Sequence, residues 1–231
     1  ADYWEHEVEK IPEYQYGYHK GWDMILDALT WPVLIMMIIC IGIAPIFSGE
    51  YQSKCDSLIL CMKYGKSRLI IAKIITVWLF TTCVYWGITL IYSAVYLGLL
   101  GVDGADLPIQ LKYPAVSVGY HLTMGEAVIY ALVLAYFFTL GIVGITLLMS
   151  ALLKNTYGVI IIAFLLIIIP TFLSPDTGGY TWSRILSLLP SKIADFSFQS
   201  YTAYSIGNVV IRWPDMAMLV NGAGALAFSA I

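Results

Sequence analysis

Charge is scarce in this sequence. Asp, Glu, Lys and Arg make up only 12% of the 231 residues, whereas 60% are hydrophobic and the mean hydropathy is +0.81. A soluble domain of ordinary composition carries roughly a quarter charged residues. So small a supply cannot coat a fold of this size, which excludes an ordinary soluble domain and makes lipid the solvent for the surplus apolar surface. Other absences narrow the class further. The cysteines Cys40, Cys55, Cys61 and Cys83 lack CxxC spacing, so neither a zinc site nor a disulfide framework is indicated. No ionisable residue stands in the middle of an apolar run, which counts against proton relays and ion-coupled carriers. Gly65-Lys66-Ser67 ends like a phosphate-binding loop, but Leu60 occupies the position that must be Gly. His6-Glu7-Val8-Glu9-Lys10 places Lys10 where a zinc-protease helix needs its second His. His19 and His121 are isolated. With no cluster of carboxylates, His or Ser on facing runs, no catalytic, cofactor-binding or metal-binding residue is assigned, and the chain is not expected to be an enzyme.

What remains is apolar length. Five charge-poor runs cover about 28–47, 69–100 (with Lys73 in its first turns), 127–153, 157–174 and 216–231. A helix crosses a bilayer with about 20 residues. A transmembrane β-barrel would instead show alternating polarity, which 159–166 (Val-Ile-Ile-Ile-Ala-Phe-Leu-Leu) does not. The expected fold class is therefore all-α, a polytopic transmembrane helical bundle. In the third run Ala127, Ala131 and Ala135, then Gly141 and Gly144, offer a small-residue face for close helix approach. Gly42 and Pro45 in the first run, and Pro170 in the fourth, are candidate kinks.

Basic residues near span ends mark the cytoplasmic side. Lys54, Lys63, Lys66 and Arg68 lie between the first two runs, and Lys154 lies between the third and fourth. The other side carries Asp2, Glu5, Glu7, Glu9 and Glu13, then Asp103 and Asp106, with Lys112, Arg184, Lys192 and Arg212 spread over longer segments. The expectation is residues 48–68 and 154–156 in the cytoplasm, and 1–25, 101–125 and 175–214 outside, in a cell membrane. A start at Ala1 on the outer side suggests a further span upstream, with a cleaved signal peptide as the alternative, and the last run is short, so with that span restored a parent of six spans is expected. The aromatic-rich outer segment 175–214 holds Ile185, Leu186, Leu188 and Leu189 before Pro190. It reads either as a helix in the outer interface or as a packed loop.

The 48–68 loop carries the strongest local pattern. Tyr51, Cys55, Leu58, Ile59 and Met62 recur at helical spacing, Gly65 suits a helix end, and Ser67 can cap the next helix before Arg68. The pattern predicts a short amphipathic helix over about 50–63. It is equally consistent with a helix resting on the membrane surface and with one docked on a partner.

These residues carry a resemblance. Phe47-Ser48-Gly49-Glu50, the amphipathic helix, Gly65-Lys66-Ser67-Arg68-Leu69-Ile70-Ile71-Ala72-Lys73 and Leu188-Leu189-Pro190-Ser191 resemble the permease subunits of ABC transporters of the ABC-2 exporter type. The resemblance covers most of the chain, 1–231 being a single transmembrane permease domain that lacks the family's first span and the end of its sixth. It implies that the loop helix is a coupling helix for a separate ABC ATPase subunit, with Glu50, Tyr51, Cys55, Leu58, Ile59, Met62, Arg68 and Lys73 as the coupling residues. It implies ATP and Mg on that partner, none bound here, and a second permease subunit, same or different, to complete the pathway in the lipid bilayer. Nucleic acid has no place in it. The readings that compete with it are an ion-coupled carrier and a non-transporting anchor or sensor; the substrate is left open.

Overall fold

The structure, a computed structural model, describes residues 16–28, 31–55, 68–113, 122–172, 186–196, 198, 203–206 and 209–230. It is mostly helical. Helix α1 spans Lys20–Asp27, α2 Trp31–Ile43, α3 Pro45–Gln52, α4 Arg68–Leu100, α5 Met124–Leu152, α6 Thr156–Phe172 and α7 Trp213–Ala230. Among the described residues, three stretches are long and apolar enough to cross a membrane: Trp31–Gln52, made of α2 and α3 together, then α4 and α5. Helix α6 is apolar throughout but shorter.

Length explains much of the architecture. At 1.5 Å per residue, the 33 residues of α4 and 29 of α5 reach about 50 and 44 Å, more than the ~30 Å of a hydrocarbon core. Shorter elements pack around the ends that exceed it. Helix α4 stops where Gly101 takes a φ of +91°, a left-handed conformation that Gly adopts without a Cβ clash. The chain then turns back so that Trp22 Nε1 of α1 donates to Val102 O at 2.9 Å. Thr123 and Glu126 close a capping box at the start of α5, the Thr123 hydroxyl accepting from Glu126 N and the Glu126 carboxylate from Thr123 N.

Helix α5 is the centre of the core. Ala127, Ala131 and Ala135 are buried, as are Phe138, Ile142 and Val143, and Ile35, Met36, Ile39 and Ile43 of α2 join the same cluster. The two glycines of the small-residue face meet α7. A methyl group on Gly144 would lie 2.8 Å from the Cα of Ala225, and one on Gly141 would strike the Asn221 side chain. Tyr130 on α5 donates to Asp215 on α7 at 2.8 Å. Contacts ascend together along both helices, so α5 and α7 run in the same direction.

The segment before α7 is packed. A 3₁₀ helix, Pro190–Asp195, lies against α5, α6 and α2. Asn221 Nδ2, two turns into α7, donates to Leu188 O at 3.1 Å, and Trp213 Nε1 donates to Ser187 O at 2.9 Å. Leu186, Ile193, Phe196 and Phe198 are buried, with Phe196 stacked on Trp213. Of the two expectations for this segment, its described part takes the packed one; Ile185 lies outside the described residues. A hairpin of β1 (Ala203–Ile206) and β2 (Val209–Arg212), paired Ala203 to Arg212 and Ile206 to Val209, was not anticipated, nor was α1.

Candidate functional site

The site grows out of Pro45. A proline inside an apolar helix donates no amide and pushes back the preceding turn, and the helix is interrupted at Ala44. Ser150, in the last turn of α5, fills the break. Its hydroxyl donates to Ala44 O at 2.6 Å and accepts from Phe47 N and Ser48 N at 3.2 Å each. Ser48, itself fully buried, donates to Ala44 O at 2.7 Å and lies 2.9 Å from Thr156 Oγ1. Asn155 accepts from Tyr157 N at 3.0 Å, capping α6, and from Gln52 Nε2 at 3.0 Å. The ends of α3 and α5 and the start of α6 are thereby tied into one polar junction.

Lys73 joins α4 to the same junction. Its ammonium pairs with the Glu50 carboxylate, donates to Ile46 O at 2.9 Å, and stands 4.7 Å from the centre of the Phe47 ring. Its side chain is only 12% exposed. A lysine so placed has its charge held by a carboxylate, a helix carbonyl and an aromatic ring together. Among the described residues this end holds Lys54, Arg68, Lys73 and Lys154 against Glu50 alone. The opposite end holds Asp23, Asp27, Asp103, Asp106, Glu126 and Asp215 with Lys20, Lys112, Lys192 and Arg212.

The eight expected coupling residues divide. Glu50 and Lys73 meet directly. Arg68 opens α4 and is exposed. Glu50 and Tyr51 do not begin a separate loop helix, however: they are in the last turn of α3, which continues the first span to Gln52. That is a correction, and its cause is local. Cys55 N bonds Glu50 O and Lys54 N bonds Tyr51 O, with Lys54 at a φ of +57°, which is the pattern of a Schellman helix end. Ser53 adds a hydroxyl bond to Gly49 O at 2.9 Å. The helical face from Tyr51 to Cys55 is therefore broken at Lys54, and Cys55 lies exposed beyond the stop. Leu58, Ile59 and Met62 lie outside the described residues.

Ser48, Ser150, Gln52 and Asn155 were missed. Pro45 signals that backbone groups need partners, but nothing local to Ser150 says that it supplies them from 106 positions away in the sequence.

The acidic end has its own polar tie. Lys112, whose side chain is only 9% exposed, pairs with Asp23 and, at 2.6 Å, with Asp27, and donates to Asp23 O at 3.0 Å. Burial alone would lower its pKa, but hydrogen bonds and charge attraction from the two aspartates outweigh it and hold the ammonium above the ordinary lysine value. Burial pushes the Tyr113 phenol up as well, against the pull of Lys112.

Fold and site together define a mostly helical protein with, among the described residues, three helical stretches long and apolar enough to cross a membrane and a hydrogen-bonded junction at one end of them. Comparison with protein-family models, with curated proteins and with solved structures finds no match.

Proposed function

We propose that this chain is the membrane-spanning permease subunit of an ATP-driven exporter of the ABC-2 type, forming the translocation pathway with a second permease subunit. In this reading α2 with α3, then α4, α5, α6 and α7 are five of six spans. The junction end faces the cytoplasm, in keeping with its excess of Lys and Arg. A separate ABC ATPase subunit, holding ATP and Mg, docks on the 50–68 region.

The observation that carries the reading is the Lys73 clamp. It ties the last turn of one span to the first turns of the next at the two roots of the 53–67 segment. A push on that segment is thereby delivered to both spans at once, which is what transmission from an ATPase requires. The Ser150 and Asn155 bonds extend the same junction to α5 and α6.

The test is co-purification with an ATPase subunit encoded beside this chain, followed by ATPase assay in lipid. A stable complex that is lost when residues 55–67 are scrambled is expected. Absence of any associated ATPase overturns the reading and favours a carrier or an anchor.

A further inference from the structure

Where α2 gives way to α3, a cavity of about 170 Å³ separates the chain from α4. Gly42, Ile43 and Ile46 line one side of it, and Thr76, Val77 and Phe80 line the other. In each set the residues stand at i, i+1 and i+4, on one side of their helix. Two contacts fix the spacing of the helices around the cavity. At one end the Phe80 ring reaches Gly42, where an added methyl group would lie 3.0 Å from the ring. At the other, Lys73 Nζ donates to Ile46 O and stands over the Phe47 ring. Thr76 lies between Lys73 and Phe80, about one turn from each. Its short side chain does not fill the gap that those two contacts leave.

The cavity has a floor and a rim. Ile43 and Val77, each 2% exposed, form the floor, whereas Gly42, Thr76 and Phe80 are exposed at the rim. Exposed Ile41, Ile75 and Leu79 flank that rim, a surface that lipid covers in a membrane-spanning chain. Among the lining side chains only Thr76 is polar. Its hydroxyl donates to Ala72 O at 2.8 Å, so what it offers a guest is acceptor capacity. An apolar cavity of roughly 150 Å³ takes a molecule of the size of benzene. One that also presents a single acceptor suits a guest with a single donor.

We propose that this cavity is a binding site for a benzene-sized apolar molecule carrying one hydroxyl, a simple phenol, which reaches it through the bilayer. The site is independent of the exporter reading, since it needs only α2, α3, α4 and the lipid around them.

The test uses para-fluorophenol, titrated into the full chain in lipid nanodiscs and followed by fluorine NMR, with protein-free nanodiscs alongside. Partition into lipid rises in proportion to concentration, whereas a site saturates. A saturable component in the protein sample alone is expected. Thr76 is exposed, so it can be replaced without disturbing the core. Thr76→Val keeps the space and removes the acceptor, and should weaken binding about fivefold. Thr76→Leu extends a side chain into the cavity and should abolish binding. Leu90→Ala, at an exposed position further along α4, should leave it unchanged. Absence of a saturable component overturns the proposal. So does one that survives Thr76→Leu, because the guest is then bound elsewhere. Equal affinity in the parent and Thr76→Val overturns the assignment of a hydroxyl-bearing guest.

Discussion

The hydroxyl of Ser150 donates to the carbonyl of Ala44 across 2.6 Å and accepts from the amides of Phe47 and Ser48, so α5 supplies the polar group that the interrupted first span needs. Ser150→Ala removes these bonds in a fully buried place and is expected to cost about 1–3 kcal/mol. Ser53→Ala, whose hydroxyl is exposed, serves as the comparison and should cost less than about 1 kcal/mol. Thermal or denaturant unfolding in detergent ranks the two. Equal effects would mean that Ser150 is not holding the junction.

Lys73 and Glu50 should behave as a coupled pair. Lys73→Met and Glu50→Gln are each expected to lose about 1–3 kcal/mol, since each leaves a charge with fewer partners. The double variant should lose less than the sum, with a coupling of about 0.5–3 kcal/mol in a double-mutant cycle. Lys73→Met should be the more damaging single change, because Ile46 O loses its partner too. Additive effects would count against a clamp.

Close approach of α5 to α7 predicts opposite responses at two glycines. Gly144→Ala forces a methyl against the Ala225 backbone and is expected to cost about 1–3 kcal/mol. Gly87→Ala meets nothing within 4 Å, and should be neutral or stabilising by up to about 1 kcal/mol. Melting midpoints of the two variants decide.

Lys112 gives a pH dependence. Its folded pKa lies above its unfolded value of roughly 10.4. The stabilisation is therefore fully present below that value and is lost as pH rises through the folded pKa. The raised Tyr113 phenol acts with the same sign. Stability in detergent should show no step from this cluster near neutral pH and should fall in strong alkali. Lys112→Met should shrink that fall and lower stability at pH 7.

If the chain couples to an ATPase, Glu50→Ala and Arg68→Glu should impair transport without preventing membrane insertion. The comparison must be made at equal amounts of protein in the membrane, because Glu50 also helps to hold the junction. Full transport by both variants would remove these residues from the coupling assignment.

Composition and apolar run length were enough to read the class of fold and the helices that dominate it. In lipid every backbone amide must find a partner within the protein. A run of 20 or more apolar residues therefore has few structures open to it, and the expected 69–100 matches Arg68–Leu100 closely. The small-residue face of α5 and the interruption at Pro45 were legible for the same local reason: missing side-chain bulk and a missing amide act where they stand. The candidate site was legible only in pieces. Glu50 and Lys73 were both named as coupling residues, one in the loop and one in the first turns of the next run, but not as partners, because pairing across 23 positions depends on how α3 and α4 cross. Lys54 ends a helix in a left-handed conformation usually given to Gly, and so hid the stop from a reading based on residue type. Ser150 and Thr76 carry no local mark at all. What they face is set by the surfaces brought against them, and that only the tertiary structure decided.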